Sequence, residues 1–279
     1  MRTTVFLGSE SGLTKYELKR HYKRLLPDVY VPKPWTPSLR DRTVAAWLWS
    51  RRRGVVAGVA ASALQGANWV DVTTPIELVW DNSHPPPGLI VRNETLASDE
   101  ITKVAGIPVT TLARTAFDLA RHLERDEAVA RLDALKRATA FKEANVLRLA
   151  RRYPGARGLK SLRAALPLVD GGAASPRETW LRLVLIDAGL PRPTTQIPVV
   201  EGRGKLVRVL DMGWEDFMVG AEYDGDQHRT SRRQYAKDVQ IKRTLARLGW
   251  NVTFVIKEDR GADIVKSARD ALISRGWKP

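Results

Sequence analysis

The chain has 279 residues, with 46 lysines and arginines against 31 aspartates and glutamates, and a formal net charge of +15. This excess indicates a polyanionic partner, and nucleic acid is the first candidate, although a basic solvated surface would give the same composition. The absence of cysteine excludes disulfides, cysteine-ligated zinc and thiol nucleophiles. No apolar run reaches the ~18 residues of a membrane span, and the first residues lack the pattern of a signal peptide, so we expect a cytoplasmic protein.

The first predicted domain, residues 1–70, has the pattern of a winged helix-turn-helix that binds DNA. Thr14 and Glu17 form a capping-box sequence, which predicts the start of a helix. Prolines close to the short strand that follows are expected to end it. The helices are predicted at 15–25, 38–52 and 58–66, and the strand at 29–31.

Basic side chains of this first domain are placed to contact DNA phosphates. Alternatively, the arginines at 51–53 follow the end of a helix and complement the negative end of its dipole. The candidate DNA-binding residues are Lys15, Lys19, Arg20, Lys23, Arg24, Arg51, Arg52 and Arg53.

The second predicted domain, residues 71–168, is a small α+β domain. Alternating apolar residues predict two strand pairs, each a hairpin, and helical apolar spacing follows them. His84 and His122 have no second metal-ligand candidate near them, so both are interpreted as surface or packing residues. The strand pairs are predicted at 76–80 with 89–91 and over 101–109, turning at Ala105-Gly106. The helices are predicted at 112–123, 126–140, 141–151 and 159–166.

A linker at 167–174, rich in glycine and alanine, separates these regions from the third predicted domain, residues 175–279. Ser175 and Pro176 have the residue types expected at the start of its first helix. Its elements follow the order helix, three strands, helix, strand, helix, which is the core of the restriction-endonuclease fold. The predicted fold class is therefore α/β, with this nuclease-like domain preceded by a winged helix-turn-helix and a small α+β region. The elements are predicted at 175–188, 194–200, 205–211, 217–223, 231–248, 251–256 and 263–274.

Three carboxylates are predicted to meet at one corner of this sheet. Asp211 ends one strand, and Glu222 and Asp224 project on the same side of the next. Such a cluster needs a compensating cation, and oxygen ligands are those that Mg²⁺ prefers when it bridges to a phosphate. We therefore predict a metal-dependent site that acts on a phosphodiester. Glu178, three residues after Ser175, either completes a capping box or points at this cluster, and its position favours neither.

The third domain contains Trp214, the string Glu222 to His228, Asp238, Leu245 and Gly249-Trp250. In these residues it resembles the very-short-patch repair endonucleases, a branch of the PD-(D/E)xK nuclease superfamily. The resemblance implies a metal-dependent endodeoxyribonuclease, a hydrolase that uses Mg²⁺ or Mn²⁺ in DNA repair or defence.

The resemblance also implies roles for single residues. Asp211 corresponds to the metal-binding aspartate of the superfamily motif, and Glu222 to its second acidic residue. Asp224 replaces the motif's lysine, and the repair-endonuclease branch, which also lacks that lysine, implies catalysis by His228. The three carboxylates would hold the metal, which activates a water for attack on phosphorus, and His228 or Lys237 would assist.

Two features of the following helix carry alternative interpretations. Lys242 lies one turn after Asp238, so it either forms an i,i+4 salt bridge or replaces the motif's lost lysine. Arg232 and Arg233 either follow the DNA backbone or belong to a solvated helix start.

The first 165 residues also contain a set of short motifs that are typical of one family. They resemble the winged-helix type IV (AbiEi-like) antitoxins of abortive-infection systems, which implies DNA binding and a cognate toxin as partner. The motifs are Gly12-Leu13-Thr14, Glu17-Leu18, Val29-Tyr30-Val31, Gly106 to Thr111, Arg114-Thr115 and Asp118-Leu119.

Two functions therefore compete. The favoured one is an endonuclease that binds DNA and nicks it, or cuts both strands as a homodimer, since a double-strand break needs two active sites. The alternative is a non-catalytic transcriptional regulator of the antitoxin type, in which the nuclease fold is a scaffold. The missing lysine favours the regulator, whereas the presence of Asp211, Glu222 and His228 together favours the enzyme.

Overall fold

A computed structural model describes residues 4–82, 84–202, 204–225 and 232–279, apart from the side chains of residues 233 and 234. The chain divides into two compact units, residues 1–169 and 170–279, and the division falls inside the segment predicted as a linker. Each unit contains both helices and β-sheet, so the protein has a mixed α/β architecture. Within the described part, no helix is long and apolar enough to cross a membrane.

The first unit begins with a helix and a small sheet. These elements are β1 (Phe6–Leu7), α1 (Lys15–His21), β2 (Tyr22–Leu26), β3 (Val29–Pro32) and α2 (Leu39–Trp49). The three strands pair in the order β1-β3-β2. The predicted capping box is confirmed, because Glu17 N donates to Thr14 Oγ1 and Thr14 N donates to Glu17 Oε2.

The helix predicted to continue to residue 25 ends at His21, so the predicted end of the helix was wrong. Residues 22–26 instead pair antiparallel with β3, and Asp28, with φ of 62°, turns the chain between the two strands. Pairing with the strand that follows directly after this turn outweighs the helix propensity of residues 22–25. This hairpin separates α1 from α2, and the winged helix-turn-helix is not confirmed.

A second sheet forms the centre of the first unit. Its elements are β4 (Val55–Ala57), α3 (Gly58–Leu64), β5 (Ile76–Val79), β6 (Leu89–Arg92), β7 (Ile101–Val104) and β8 (Ile107–Thr110). The strands pair in the order β6-β5-β4-β8-β7. The predicted β7-β8 hairpin is confirmed, with Ala105 and Gly106 at its turn and φ values of 49° and 84°.

The hairpin predicted between β5 and β6 is wrong, because these strands run parallel, with Ile76 opposite Leu89. A tight hairpin uses a loop of two to five residues, whereas residues 80–88 connect these strands and include three consecutive prolines. The longer connection returns the chain to the beginning of β5.

Four helices complete the first unit. They are α4 (Leu112–His122), α5 (Arg125–Ala138), α6 (Glu143–Arg152) and α7 (Leu159–Ala165). One hydrophobic cluster contains Val29 and Ala46 from the first predicted domain together with Val56, Leu78 and Val109. Two of these residues come from before position 50 and two from after position 70. The boundary predicted at residue 70 therefore crosses a shared core.

The described residues of the second unit form one sheet and three α-helices. Its elements are α8 (Pro176–Asp187), β9 (Thr194–Glu201), β10 (Lys205–Trp214), β11 (Val219–Tyr223), α9 (Arg232–Arg247), β12 (Asn251–Val255) and α10 (Gly261–Ser274). The sheet order is β12-β11-β10-β9, in which only the β11-β12 pair is parallel. The helices and strands occur in the predicted order, but the restriction-endonuclease fold itself stays a prediction.

The sheet of the second unit has a buried cluster on each face. Met212 packs in the cluster formed with α8 and α10, whereas Leu210, two residues earlier, packs in the cluster formed with α9. Residues two apart on a regular strand project to the same face. Gln196, on the neighbouring strand opposite Asp211, has φ of 55°, which marks an irregularity in both strands. Asp211 therefore lies where β10 reverses its faces.

Candidate functional sites

Two of the predicted catalytic carboxylates, Glu222 and Asp224, line the same small cavity of about 80 Å³ in the second unit. Glu222 projects from β11 toward α9, and Asp224 follows the end of the same strand. The other residues that line the cavity are Arg208, Asp238, Ile241, Lys242 and Phe254. The cavity thus places carboxylates and cations from strands β10 and β11 and helix α9 close together.

Glu222 is 2% exposed, and its two oxygens have different environments. Oε1 forms an ion pair with Arg208, whereas Oε2 is buried without a hydrogen-bond partner in the described structure. An unpartnered carboxylate oxygen in a protein interior is costly, and it is an unused ligand for a cation.

Asp211 is a half-buried carboxylate with an unusual environment. Its Oδ2 accepts a hydrogen bond of 2.8 Å from the backbone amide of Tyr223. Burial and the negative charge of Glu178 raise the pKa of Asp211 to about 6, although the Tyr223 amide and Arg208 oppose this change. A fraction of Asp211 is therefore protonated near neutral pH, and binding of a cation would favour the ionised form.

Glu178 stabilises the start of α8 without the reciprocal bond of the predicted capping box, because its side chain accepts from the amide of Ala174, one residue before the N-cap Ser175. That it points at the carboxylate cluster stays a prediction. Its Oε2 accepts from the backbone amide of Ala174 at 2.8 Å and from Gln196 Nε2 at 3.2 Å. Glu178 N donates to Ser175 Oγ, so Ser175 caps α8 as predicted. The acidic side chain thus fixes the beginning of α8, and its charge also acts on Asp211.

The described residues only partly fit the predicted magnesium site. Arg208 pairs with Glu222, and Lys242 Nζ lies 3.6 Å from Asp224 Oδ2, so protein cations already balance two of the carboxylates. Asp211, Glu222 and Asp224 are not among the described groups in which three potential ligand atoms lie within 4.8 Å of one another. The Oε2 atom of Glu222 and the raised pKa of Asp211 are the two observations that fit a metal.

Lys242 faces the carboxylate cavity, as expected if it replaces the lysine missing from the motif. Its ammonium lies 4.0 Å from the centre of the Phe254 ring, which holds the side chain over the cavity. Lys237 and Arg232 are exposed on the same helix. His228 and the side chain of Arg233 lie outside the described residues.

The predicted DNA-binding cations of the first unit fall into two groups. Lys15, Lys19 and Arg24 are exposed and make no ion pair within the described part of the chain. Lys23 is half-buried, and Arg20 donates to the hydroxyl of Tyr16 at 2.7 Å. The cations of α1 and β2 are therefore available to an external anion.

The three arginines after α2 are engaged within the fold. Arg51 pairs with Asp28 at 2.9 Å, and Arg52 pairs with Glu10 at 2.6 Å. Arg53 lies over the ring of Trp80. Because partners in the fold bind Arg51 and Arg52, these residues are weaker candidates for contact with DNA than those of α1.

A buried ionic network in the first unit was not found by sequence analysis. At its centre is Arg114, which is 2% exposed. Its Nε contacts Asp118 at 3.0 Å, its Nη1 contacts Glu100 at 2.6 Å and its Nη2 contacts Glu94 at 2.7 Å. Arg121 Nη2 also contacts Asp118, at 2.9 Å, and Glu94. The spacing of Arg114, Asp118 and Arg121 on one helix face was the signal available in the sequence.

His122 belongs to this network, so the prediction that no second potential metal ligand lies near it was wrong. Nδ1 lies 3.7 Å from Glu77 Oε1, and Nε2 lies 3.5 Å from Glu94 Oε1. Burial opposes ionisation of His122, but its interactions with the carboxylates of Glu77 and Glu94 raise its pKa. Both partners come from segments far from residue 122 in sequence, which local spacing does not reveal.

The network also contains the one group of described residues that brings three potential metal ligands together, namely Glu94, Asp118 and His122. The oxygens of Asp118 and Glu94 already accept from Arg114 and Arg121. A metal ion here would be repelled by two arginines, so the group is better described as an ion-pair network.

Comparison with known proteins identifies relatives over most of the chain. Two proteins of Mycobacterium tuberculosis, uncharacterized protein MT2308 of strain CDC 1551 / Oshkosh and uncharacterized protein Rv2248 of strain H37Rv, are similar to it. Each is 31% identical over 225 residues, which cover 80% of this chain and 82% of the relative. The chain belongs to the family of these mycobacterial proteins. No solved structure matches it.

Residues 50–145 match the family described as AbiEi antitoxin C-terminal domain. This confirms the antitoxin part of the resemblance for that segment, whereas the nuclease part is not confirmed. The matched segment begins before β4 and ends in α6, so it contains Glu77, Glu94, Arg114, Asp118 and His122.

Proposed function

We propose that this chain is a DNA-binding regulator of the AbiEi antitoxin type, with a cognate toxin as its protein partner. The observation that carries the proposal is the match of residues 50–145 to an antitoxin domain. The net charge of +15 supports DNA as the second partner. This is the transcriptional regulator that the sequence predicted as the alternative function.

The exposed cations of α1 and β2 are the proposed DNA contacts. Lys15, Lys19 and Arg24 extend into solvent and have no carboxylate partner in the described structure, so each can neutralise a phosphate. Contacts with the phosphate backbone release counterions and weaken as salt is raised. Binding through these residues is therefore expected to be strongly salt-dependent.

The test compares DNA binding by the full chain and by a variant with Lys15, Lys19 and Arg24 all changed to alanine. Fluorescence anisotropy with a duplex from upstream of its own gene, and with a random duplex of equal length, is measured over a range of salt concentrations. The variant is expected to bind both duplexes more weakly and to lose about three units of salt slope, roughly one for each phosphate contact.

The matched control removes three other exposed cations of the same unit, Arg148, Lys160 and Arg163. It changes the net charge equally, so equal weakening by both variants would show that α1 and β2 are not the contact surface. Absence of DNA binding by the full chain at low salt would contradict DNA as the partner. Co-purification with the product of an adjacent gene tests the toxin partner separately.

A metal-dependent endonuclease is the second candidate function, and the unpartnered Oε2 of Glu222 is the observation that favours it. Asp211, Glu222 and Asp224 are the residues that would hold Mg²⁺, or Mn²⁺ in its place. The metal would lower the pKa of a bound water and stabilise charge on the phosphate. Lys242, which faces the same cavity, would contact the phosphate or stabilise the leaving oxygen.

The nuclease candidate is tested by incubating supercoiled, linear and mismatched DNA with Mg²⁺, Mn²⁺ or a chelator. Asp211→Ala is expected to abolish cleavage, and Asp216→Ala, which removes an exposed carboxylate of the same unit, is expected to keep it. DNA binding without metal-dependent cleavage would support the regulator function and contradict the nuclease function.

A further inference from the structure

Neither function uses a groove of about 700 Å³ that lies beside the ionic network of the first unit. It is lined by the end of β6 and the segment after it, by α4 and by residues 152–157. Sites for small molecules commonly have volumes of about 300 to 1,000 Å³. The groove is therefore large enough for a small ligand rather than for a single ion.

The lining of this groove has a strongly cationic composition. Five arginines contribute to it, whereas Glu94 is the one carboxylate among the described lining residues. The arginines are Arg92, Arg114, Arg121, Arg152 and Arg157. Guanidinium groups recognise phosphates and carboxylates through paired N–H donors, so this lining is suited to an anionic ligand.

Glu94 shows where the protein already holds an anion. Its carboxylate contacts Arg114 Nη2 at 2.7 Å, Arg121 Nη2, and His122 Nε2 at 3.5 Å. Although burial opposes it, hydrogen bonding with His122 and the charge of Arg121 lower the pKa of Glu94 to about 2. Three cations thus converge on one anionic position.

The segment that carries Glu94 differs from the rest of the network. Residues 93–97 belong to no helix or strand, and the Glu94 side chain is 29% exposed, whereas the Glu100 and Asp118 side chains are almost fully buried. Arg114 also keeps Glu100 and Asp118 as partners if Glu94 moves away. Glu94 is therefore the carboxylate that an incoming anion can replace with the least disturbance of the core.

Arg157 provides a further donor at this groove. Its side chain is exposed and makes no ion pair among the described residues, while its backbone carbonyl accepts from Arg121 Nη1. Arg152 also lines the groove, and its guanidinium contacts both Asp99 and the ring of Tyr153.

We propose that this groove binds the terminal phosphate of a small ligand, which takes the position of Glu94 at Arg114 and Arg121 and is also bound by Arg157. A terminal phosphate has three oxygens and up to two negative charges, so it satisfies more guanidinium donors than one carboxylate does. The same chemistry occurs in a free mononucleotide and at the 5′ end of a nucleic acid. The site is independent of the DNA surface on α1 and β2.

The experiment measures binding of inorganic phosphate and of AMP to the full chain by calorimetry and by thermal shift, at constant ionic strength set with chloride. Glu94→Gln removes the competing negative charge and is expected to bind both probes at least tenfold more tightly. Arg157→Ala is expected to weaken binding at least fivefold while its unfolding temperature without ligand stays unchanged. Arg163→Ala, an exposed arginine of α7 outside the groove, is the control and is expected to bind as the unmodified protein does.

Two results would overturn the proposal. One is absence of binding at millimolar phosphate and AMP for both the unmodified protein and Glu94→Gln. The other is binding that neither Glu94→Gln nor Arg157→Ala alters, because the phosphate would then lie elsewhere. Oligonucleotides with and without a 5′-phosphate distinguish the sources: preference for the phosphorylated strand over AMP assigns a nucleic-acid end, and the reverse assigns a mononucleotide.

Discussion

Asp211 is a carboxylate whose ionised form is disfavoured by folding. Its pKa rises from an ordinary value of 3.8 to about 6, mainly because the side chain is buried and lies near the charge of Glu178. The sequence predicted Asp211 at the end of a strand, but this was wrong, because β10 continues to Trp214 and pairs with β11 beyond Asp211. The side chains before and after Asp211 pack on opposite faces of the sheet, beside Gln196 of the neighbouring strand, which has a positive φ.

We predict that Asp211→Asn stabilises the protein at alkaline pH. A pKa raised on folding contributes stability at low pH, and this contribution is lost as the pH rises from about 4 through 6. A difference of about two pKa units corresponds to at most about 3 kcal/mol, so we expect a gain of about 1 to 3 kcal/mol at pH 8. Urea unfolding at several pH values measures it. The gain should vanish near pH 4, and a variant that is less stable at pH 8 would contradict the assignment.

His122 differs from Asp211, because folding stabilises the charged form of His122 but the neutral form of Asp211. Its pKa lies above the ordinary value of 6.5, so its contribution is fully present below about pH 6.5 and is lost as the pH rises through the folded value. We predict that His122→Gln lowers stability most near pH 6 and progressively less toward pH 8.5. Both proteins retain Asp211, whose titration cancels in the difference. A difference that is constant with pH would mean that His122 is not charged in the network.

At the scale of elements, Gly158 connects α7 to the end of α4. It caps α7 with φ of 82°, and a Cβ added there would lie 2.1 Å from the backbone oxygen of Arg121. We predict that Gly158→Ala destabilises the protein about 1 to 3 kcal/mol more than Gly106→Ala does. Gly106 has a similar φ of 84° but open space around it, so it isolates the steric part of the effect. Equal losses in chemical denaturation would show that the α4-α7 contact adjusts freely.

Local patterns predicted most helices and strands, because caps and apolar spacing act within a few residues. The capping box at Thr14 and the hairpin turn at Ala105-Gly106 are confirmed for this reason. The failures involve strand pairing, either within a hairpin that the helical pattern concealed or with a segment farther along the chain. Residues 22–26 form a strand because β3 pairs with them, and β6 runs parallel to β5 because its register is set across the sheet. The Glu94 contacts with Arg114 and Arg121 depend on the same long-range folding.

The candidate sites show the same limit. The sequence predicted that Glu222 and Asp224 lie together, and they line one cavity. It did not show that Arg208 pairs with Glu222, because that contact depends on the arrangement of β10 beside β11. The sequence likewise predicted Arg51 and Arg52 as DNA contacts, but in the structure they form ion pairs with Asp28 and Glu10.

At the scale of the whole molecule, each of the two units contains a hydrophobic cluster formed by its own described residues. We predict that residues 1–169 fold alone and bind DNA with an affinity within about threefold of the full chain, because the proposed contacts lie in this unit. Residues 170–279 alone should show little affinity for DNA without a metal. Circular dichroism and anisotropy of the two fragments test this. Binding that requires both fragments joined would place DNA contacts in each unit.

The core shared by Val29, Ala46, Val56, Leu78 and Val109 restricts how this family can diversify. A segment can be exchanged between related proteins only if its ends do not divide a hydrophobic core. Recombination near residue 70 would instead combine core residues from two different proteins, and these residues have not evolved to pack against each other. If the exposed side of α1 and β2 contacts DNA as proposed, new specificities are expected to arise there by substitution and not by exchange of segments that divide this core.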